Sequence, residues 1–202
     1  VAPVKELLVR YETLVSNARD GQLTGTVVMG ALVSALMGAF ADSLWSLTRQ
    51  HPALEITLFA GQSADFALRV DRGELDAAVV TQPPMRLPAN LVWTALYTEP
   101  MVLIVPAKPH FALPRDGAAI LSNCPFLRFD RQTWTGHLVD EALAQCNART
   151  NTTMELNSLE AIVALVRQGF GVSIVPRLAN LQWTKDRALR IVDLEGIDVQ
   201  RT

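Results

Sequence analysis

The sequence predicts an α/β chain folded into two lobes with a cleft between them. Three observations predict it. Gly25 to Val80 alternates strand, helix, strand, helix, strand without a long interruption, the same alternation restarts at Phe126, and a proline-dense stretch from Thr81 to Pro88 lies between the two runs. Short apolar strands joined by helices form parallel sheets with right-handed crossovers. Such sheets receive ligands in the crevice beyond the carboxyl ends of their strands. With 202 residues, 50% of them apolar, the chain has the material for a substantial core.

Residues 3 to 19 read as an amphipathic helix, with Val4, Leu7, Tyr11, Leu14 and Ala18 at a/d spacing, ended by Asp20-Gly21. Two heptads fit either pairing with a partner helix or docking on the body of the chain. Thr26 to Met29 is a short apolar strand. Ser34 then opens a helix whose buried stripe is Leu36, Phe40, Leu44 and Leu47, stopped by Pro52. Leu54 to Ala60 is the second strand, a short helix carrying Phe66 and Val70 runs to Gly73, and Ala77 to Val80 is the third strand. Three prolines in Thr81 to Pro88 cannot continue a central strand, so this stretch reads as a crossing linker.

Leu91 to Tyr97 and Met101 to Val105 are two β-rich runs, followed by a loop and one short helix over Phe111 to Ser122. Phe126 to Phe129 is a strand, and Trp134 to Asn147 a helix with Leu138, Ala142 and Cys146 on one face. After the strand Thr152 to Leu156, Asn157 serves as N-cap to a helix with Glu160 three residues on and Leu159, Ile162, Val163 and Val166 as its apolar stripe. Gly169 and Gly171 end that helix. Val172 to Val175 reads as a buried parallel strand stopped by Pro176. A second crossing over Pro176 to Ala179 then leads to a small helix and a strand, Leu189 to Val192.

Composition excludes several function classes. Lys and Arg number 18 against 20 Asp and Glu, for a net charge of −2, with no basic run to grip nucleic acid phosphates. No apolar run approaches the ~20 residues of a membrane span. Cys124 and Cys146 have no metal-type spacing and read as thiols of a reducing compartment. There is no G-x-S-x-G elbow around Ser63 and no G-x-x-x-x-G-K loop. His137 and Glu141 stand one helical turn apart without a further ligand. No catalytic, cofactor or metal site is expected.

What the chain does offer is a set of strand-to-helix junctions. Ala31 to Ser34, Gly61 to Ser63, Phe129 to Thr133 and Asn157-Ser158 all face the cleft on this topology. Helix starts present unpaired N–H groups and the positive end of the dipole, so their convergence favours a small anion. Ser34 and Ser63 also fit the role of ordinary N-caps. Alternation along the strand turns only one of Arg128 and Phe129 inward, which selects Phe129 for the cleft and Arg131 as the nearby guanidinium.

Four pieces in order carry a family resemblance: Gly21-Gln22-Leu23-Thr24-Gly25-Thr26-Val27-Val28-Met29-Gly30; Phe40 through His51-Pro52 with Leu54 to Leu58; Gly73-Glu74-Leu75-Asp76-Ala77-Ala78-Val79; and Val166-Arg167-Gln168-Gly169-Phe170-Gly171 with Val172 to Pro176. Over about residues 21 to 195 the chain resembles the effector-binding domain of LysR-type transcriptional regulators. The resemblance implies a type II periplasmic-binding-protein-like fold, two Rossmann-like lobes joined by two crossover segments, preceded by the tail of a linker helix. The linker tail is residues 1–20 and the effector-binding domain 21–202, with lobe I over about 21–82 and 180–202 and lobe II over about 83–179. Such domains usually continue past a final strand into a helix that packs on the first lobe, whereas this chain ends at Thr202.

By matching position, the resemblance implies effector contacts at Ser34, Ser63 and Thr81 in the first lobe and at Phe129, Asn157 and Ser158 in the second. Thr81 stands where some members place a basic residue. Also implied are a cytoplasmic homodimer, tetrameric when full length, and DNA contacts through a domain absent from this chain. The residues suit a small-molecule effector that is a carboxylate, a sulfonate or a sugar acid. The alternative on the same fold is a solute-binding protein of a transport system.

Overall fold

The structure, a computed structural model, describes residues 22–178, 185–192, 194 and 197–202. The helix expected over residues 3 to 19 and the small helix expected beyond Ala179 lie outside the described residues.

The first lobe is built as its sequence pattern demands. Strands β1 (Gly25–Ala31), β2 (Leu54–Ala60) and β3 (Ala77–Val79) form a parallel sheet in the order β2-β1-β3. The register runs from Gly25 opposite Leu54 to Ala31 opposite Ala60. The β1-to-β2 connection contains two helices, α1 (Val33–Leu36) and α2 (Ala39–Gln50), broken at Met37-Gly38. Helix α3 (Ser63–Asp71) joins β2 to β3. The stripe expected on α2 is only half-buried at Phe40, Leu44 and Leu47, and α2 has no fully buried residue. Phe66 is therefore the largest anchor of this lobe. Its ring lies where a Cβ on Gly30 would stand 2.5 Å from Cδ1 and a Cβ on Gly61 would stand 2.9 Å from Cζ.

The second lobe holds the main core. Strand β4 (Glu99–Pro106) pairs antiparallel with β7 (Ser173–Pro176) and β8 (Leu189–Val192), while β5 (Pro125–Phe129) pairs parallel with β6 (Asn151–Leu156). A single parallel bridge, Phe126 to Val172, connects the two groups. Helices α4 (Gly117–Asn123), α5 (Trp134–Gln145) and α6 (Leu159–Arg167) complete the lobe. Its buried cluster includes Leu103, Ile104, Phe126, Leu127, Ile162 and Ile174. At Gly169, φ is +83°, the left-handed turn needed to leave α6 for β7.

Three expectations change. Leu91 to Tyr97 forms no strand, and Val92 and Leu96 are largely exposed, so a β-rich composition here does not find an edge to pair with. The Val172 to Val175 run is parallel to β5 only at Val172 and then antiparallel to β4, because β4 enters the lobe from the first crossing in the reverse direction. Leu189 to Val192 belongs to the second-lobe sheet through Leu103 to Pro106, not to lobe I. Among the described residues the return to the first lobe is made by β9 (Gln200–Arg201), which pairs with Glu99 and Pro100 at the start of β4.

Helix α5 starts against a tight junction. Thr133 caps it, with Oγ1 accepting from Gly136 N at 2.9 Å and donating to Asp130 O at 2.7 Å. A Cβ on Gly136 would overlap Asp130 O and lie 2.9 Å from the carbonyl carbon. Backbone cannot yield as a side chain can, so Gly136→Ala is expected to cost about 1–3 kcal/mol. Urea unfolding checks this, and a midpoint equal to that of the parent would contradict the close approach.

Candidate functional site

The ends of the two sheets meet at a set of hydroxyl and amide side chains. Ser34 is the second residue of α1, whose N-cap is Leu32 without a side-chain cap bond. Ser63 is the first residue of α3, capped by Gln62, again without a side-chain bond to the helix. Neither serine is an N-cap. Their oxygens are used otherwise: Ser34 Oγ accepts from Arg201 Nη1 at 2.9 Å, and Ser63 Oγ accepts from the Thr81 backbone N–H at 3.2 Å. Ser34, Ser63 and Thr81 are all buried.

Two hydrogen bonds join the lobes across this region. Thr81 Oγ1 lies 3.3 Å from Oγ1 of Thr135, in the first turn of α5. Gln62 Nε2 donates to the Asn157 carbonyl at 3.1 Å. The structure thus brings together Ser63, Thr81 and Asn157, with Ser34 attached through Arg201. Ser158, not Asn157, caps α6: its Oγ accepts from Ala161 N at 3.2 Å and donates to Glu160 Oε2 at 2.7 Å. Asn157 is displaced one residue outward, where its carbonyl faces the first lobe.

The other second-lobe candidates are placed differently. Phe129 is buried in the core cluster, and Arg128, on the opposite face of the strand, is buried too. Alternation did not separate an inward from an outward residue because β5 packs against both α5 and α6 and is buried from Phe126 to Phe129. Arg128 Nη2 pairs with Asp140 Oδ1 on α5. Arg131 is exposed, and its backbone N–H donates to Glu155 Oε1 at 2.8 Å. Its side chain takes no part in the hydrogen bonds that join the lobes.

The guanidinium that reaches Ser34 is that of Arg201, which the sequence pattern does not single out. Its Nε donates to Glu99 Oε2 at 2.9 Å, its Nη2 pairs with the same oxygen, and its Nη1 reaches Ser34. Arg201 and Glu99 are both buried. Tyr97 beside them titrates above the ordinary phenol range, chiefly through burial and then through the Glu99 charge, partly offset by Arg201. Thr135 and Gln62 were likewise invisible in sequence, since their partners lie 54 and 95 residues away.

A groove of about 490 Å³ adjoins the site, walled by Ala77 to Thr81 and Leu91 to Tyr97, with Trp134, Arg201 and Thr202. It shares Thr81 with the cleft but is not lined by Ser34, Ser63, Phe129, Asn157 or Ser158. It follows the edge of β3, which among the described strands pairs only with β1. Among the described residues no group of three or more His, Cys, Asp or Glu could hold a metal ion. Cys124 and Cys146 are free, and burial raises both thiols. No described helix is long and apolar enough to cross a membrane.

Comparison with known proteins bears on the family and the fold. A family profile described as LysR substrate binding domain matches residues 20–202. The HTH-type transcriptional regulator IlvR of Caulobacter vibrioides is 29% identical over 197 residues, covering 95% of this chain and 65% of that protein. A probable RuBisCO transcriptional regulator of Cyanophora paradoxa is 29% identical over 184 residues, 88% of this chain and 56% of its own length. The chain thus spans less than two thirds of these curated relatives. In structure it is similar to the effector-binding domain of QuiR in complex with shikimate, with TM-score 0.75, 15% identity and coverage of 89% and 85% of the two chains. It is also similar to the Synechocystis PCC6803 CcmR regulatory domain in complex with 2-PG, with TM-score 0.72, 19% identity and coverage of 88% and 85%. At these identities the structural likeness shows the fold.

Proposed function

Because this chain belongs to the family of LysR substrate-binding domains, we propose that it is the effector-sensing portion of a transcriptional regulator and binds a small acid at the junction of its two lobes. The observation that carries this reading is the set of hydrogen bonds that joins Gln62, Ser63 and Thr81 of the first lobe to Thr135 and Asn157 of the second, with Ser34 of the first lobe bonded to Arg201. Ser34 and Ser63 each accept a hydrogen bond from a group that can only donate, a guanidinium and a backbone amide. Each hydroxyl proton is thereby directed away from its partner and toward a guest, which must supply acceptors. A carboxylate, a sulfonate or the acid group of a sugar acid meets that requirement. The related structures carrying shikimate and 2-PG make these the first acids to test.

The switch follows from the energetics of the junction. Two neutral hydrogen bonds between lobes contribute about 1–3 kcal/mol together. A guest that contacts both lobes needs a differential affinity of similar size to change their arrangement. In the full-length homodimer such a change would alter the spacing of DNA-binding domains that are absent from this chain, as a rigid-body rearrangement at an interface. No chemical step is assigned to the site.

Calorimetry against small carboxylates, sulfonates and sugar acids provides the test. For any acid that binds, Ser34→Ala with Ser63→Ala should weaken binding at least about tenfold, the loss of roughly one charge-assisted hydrogen bond. Unchanged affinity in the double variant would move the site elsewhere.

A further inference from the structure

The Ser34 hydroxyl is set by a charged group that belongs to neither neighbouring helix. Arg201 comes from β9, 167 residues away, and its guanidinium is held by Glu99 of β4. We propose that Arg201 is a positioning residue of the cleft: it fixes Ser34 as a hydrogen-bond donor toward the guest and, through Glu99, links that hydroxyl to the two strands that cross between the lobes.

Three observations support this. A guanidinium carries donors in a rigid fork and no acceptor, so one group can hold Glu99 through Nε and Nη2 and still aim Nη1 at Ser34. Glu99 takes Nε and Nη2 through one oxygen and leaves Nη1 to Ser34. The third bond is spent on a hydroxyl at the floor of the lobe junction, and among the described residues that hydroxyl has no acceptor for its proton. Finally, the strands involved sit at the crossings: Met101 N donates to Val199 O at 2.9 Å, Arg177 N to Pro100 O at 2.9 Å, and Gln82 N to Thr202 O at 2.8 Å. An acceptor that takes the Ser34 proton strengthens the bond Ser34 accepts from Arg201, since hydrogen bonds in a chain polarise one another. Binding is thereby felt at both crossings.

This rests on the reading of the cleft as an acid-binding site, so the test has one arm that needs no ligand. Ser34→Cys, with 13C-labelled cysteine, puts a titratable reporter against Nη1. Cys124 and Cys146 give internal reference signals. Burial raises a thiol here, as it does Cys124 and Cys146, so the cation is read from the difference between two backgrounds. Adding Glu99→Gln and Arg201→Met, which removes both buried charges together, should raise the titration of the new thiol by about one unit or more, with the two reference signals unmoved. A thiol unaffected by the paired change, or lowered by it, would overturn the proposal.

The second arm compares benzoate with benzamide by tryptophan fluorescence. The parent protein should prefer benzoate at least about tenfold, one hydrogen bond to a charged acceptor. The paired variant should bind both with a ratio near one, an outcome a general loss of structure would not produce. A parent-like ratio in the paired variant would contradict the role of Arg201. If the parent binds neither compound, the acid-binding reading loses support, and the thiol titration still decides whether Arg201 sets position 34.

Discussion

Glu99→Ala is expected to lower the unfolding free energy by about 3–5 kcal/mol, because it leaves the Arg201 guanidinium buried without a counter-charge. Glu99 and Arg201 are 2% and 5% exposed, and the remaining contact of Arg201 is the neutral Ser34 hydroxyl, too weak an acceptor to replace a carboxylate. The paired change Glu99→Gln with Arg201→Met should recover most of that loss, since neutralising both members of a buried pair removes the desolvation cost along with the attraction. The same reasoning makes the paired variant the proper background for testing the role of Arg201. Urea unfolding of the three proteins measures both effects. A Glu99→Ala protein within about 1 kcal/mol of the parent would mean that water reaches the guanidinium, as at an exposed pair.

Phe66→Ala should cost a comparable amount, about 3–5 kcal/mol, and act on the first lobe. Phe66 is 1% exposed, and the first-lobe residues that share full burial with it are small or few: Ala31, Ala35 and Leu75. Gly30 and Gly61 flank the ring and have no side chains with which to fill the space it would leave. Arg69, whose guanidinium stands 4.9 Å from the Phe59 ring centre and 5.9 Å from that of Phe66, would lose half of its aromatic seat. Phe66→Leu should cost less, about 1–2 kcal/mol, because most of the volume is kept. Hydrogen exchange can localise the change. Loss of protection in β1 to β3 with the second-lobe strands unaffected is expected, and uniform loss would show that the lobes unfold as one unit.

The two predictions share a cause. The large apolar cluster runs from Met101 to Val199 and belongs to the second lobe and the crossings. The first lobe has a half-buried α2 and one large aromatic anchor, so it is held chiefly by Phe66, by its sheet and by the Arg201 network that ties β9 to Ser34. The lobe that carries the candidate residues Ser34, Ser63 and Thr81 is thus the less deeply cored of the two. Lower local stability of a binding element is a common requirement where the element must respond to a guest.

How far the sequence reaches can be seen element by element. Strand-helix alternation, proline breaks and glycine stops are local, and they located β1, β2, β3, β5, β6 and helices α3, α5 and α6 close to their observed bounds. Local signals fail where pairing depends on what arrives alongside. Leu91 to Tyr97 has the composition of a strand and pairs with no strand among the described residues, while Leu189 to Val192 pairs with β4 of the second lobe. Alternation misjudged Arg128 and Phe129 because a strand covered on both faces buries every side chain, including a charge that finds Asp140.

By itself the sequence determined a two-lobed α/β chain whose junctions carry Ser34, Ser63, Thr81 and Asn157-Ser158, because periodicity and helix-start chemistry act over a few residues. Only the tertiary structure decided that Arg201 rather than Arg131 reaches Ser34, that Thr135 and Gln62 bridge the lobes, and that both serines accept from groups that can only donate. Those relations join residues 18 to 167 positions apart, and a hydroxyl takes its direction from whichever partner the fold brings within 3.5 Å.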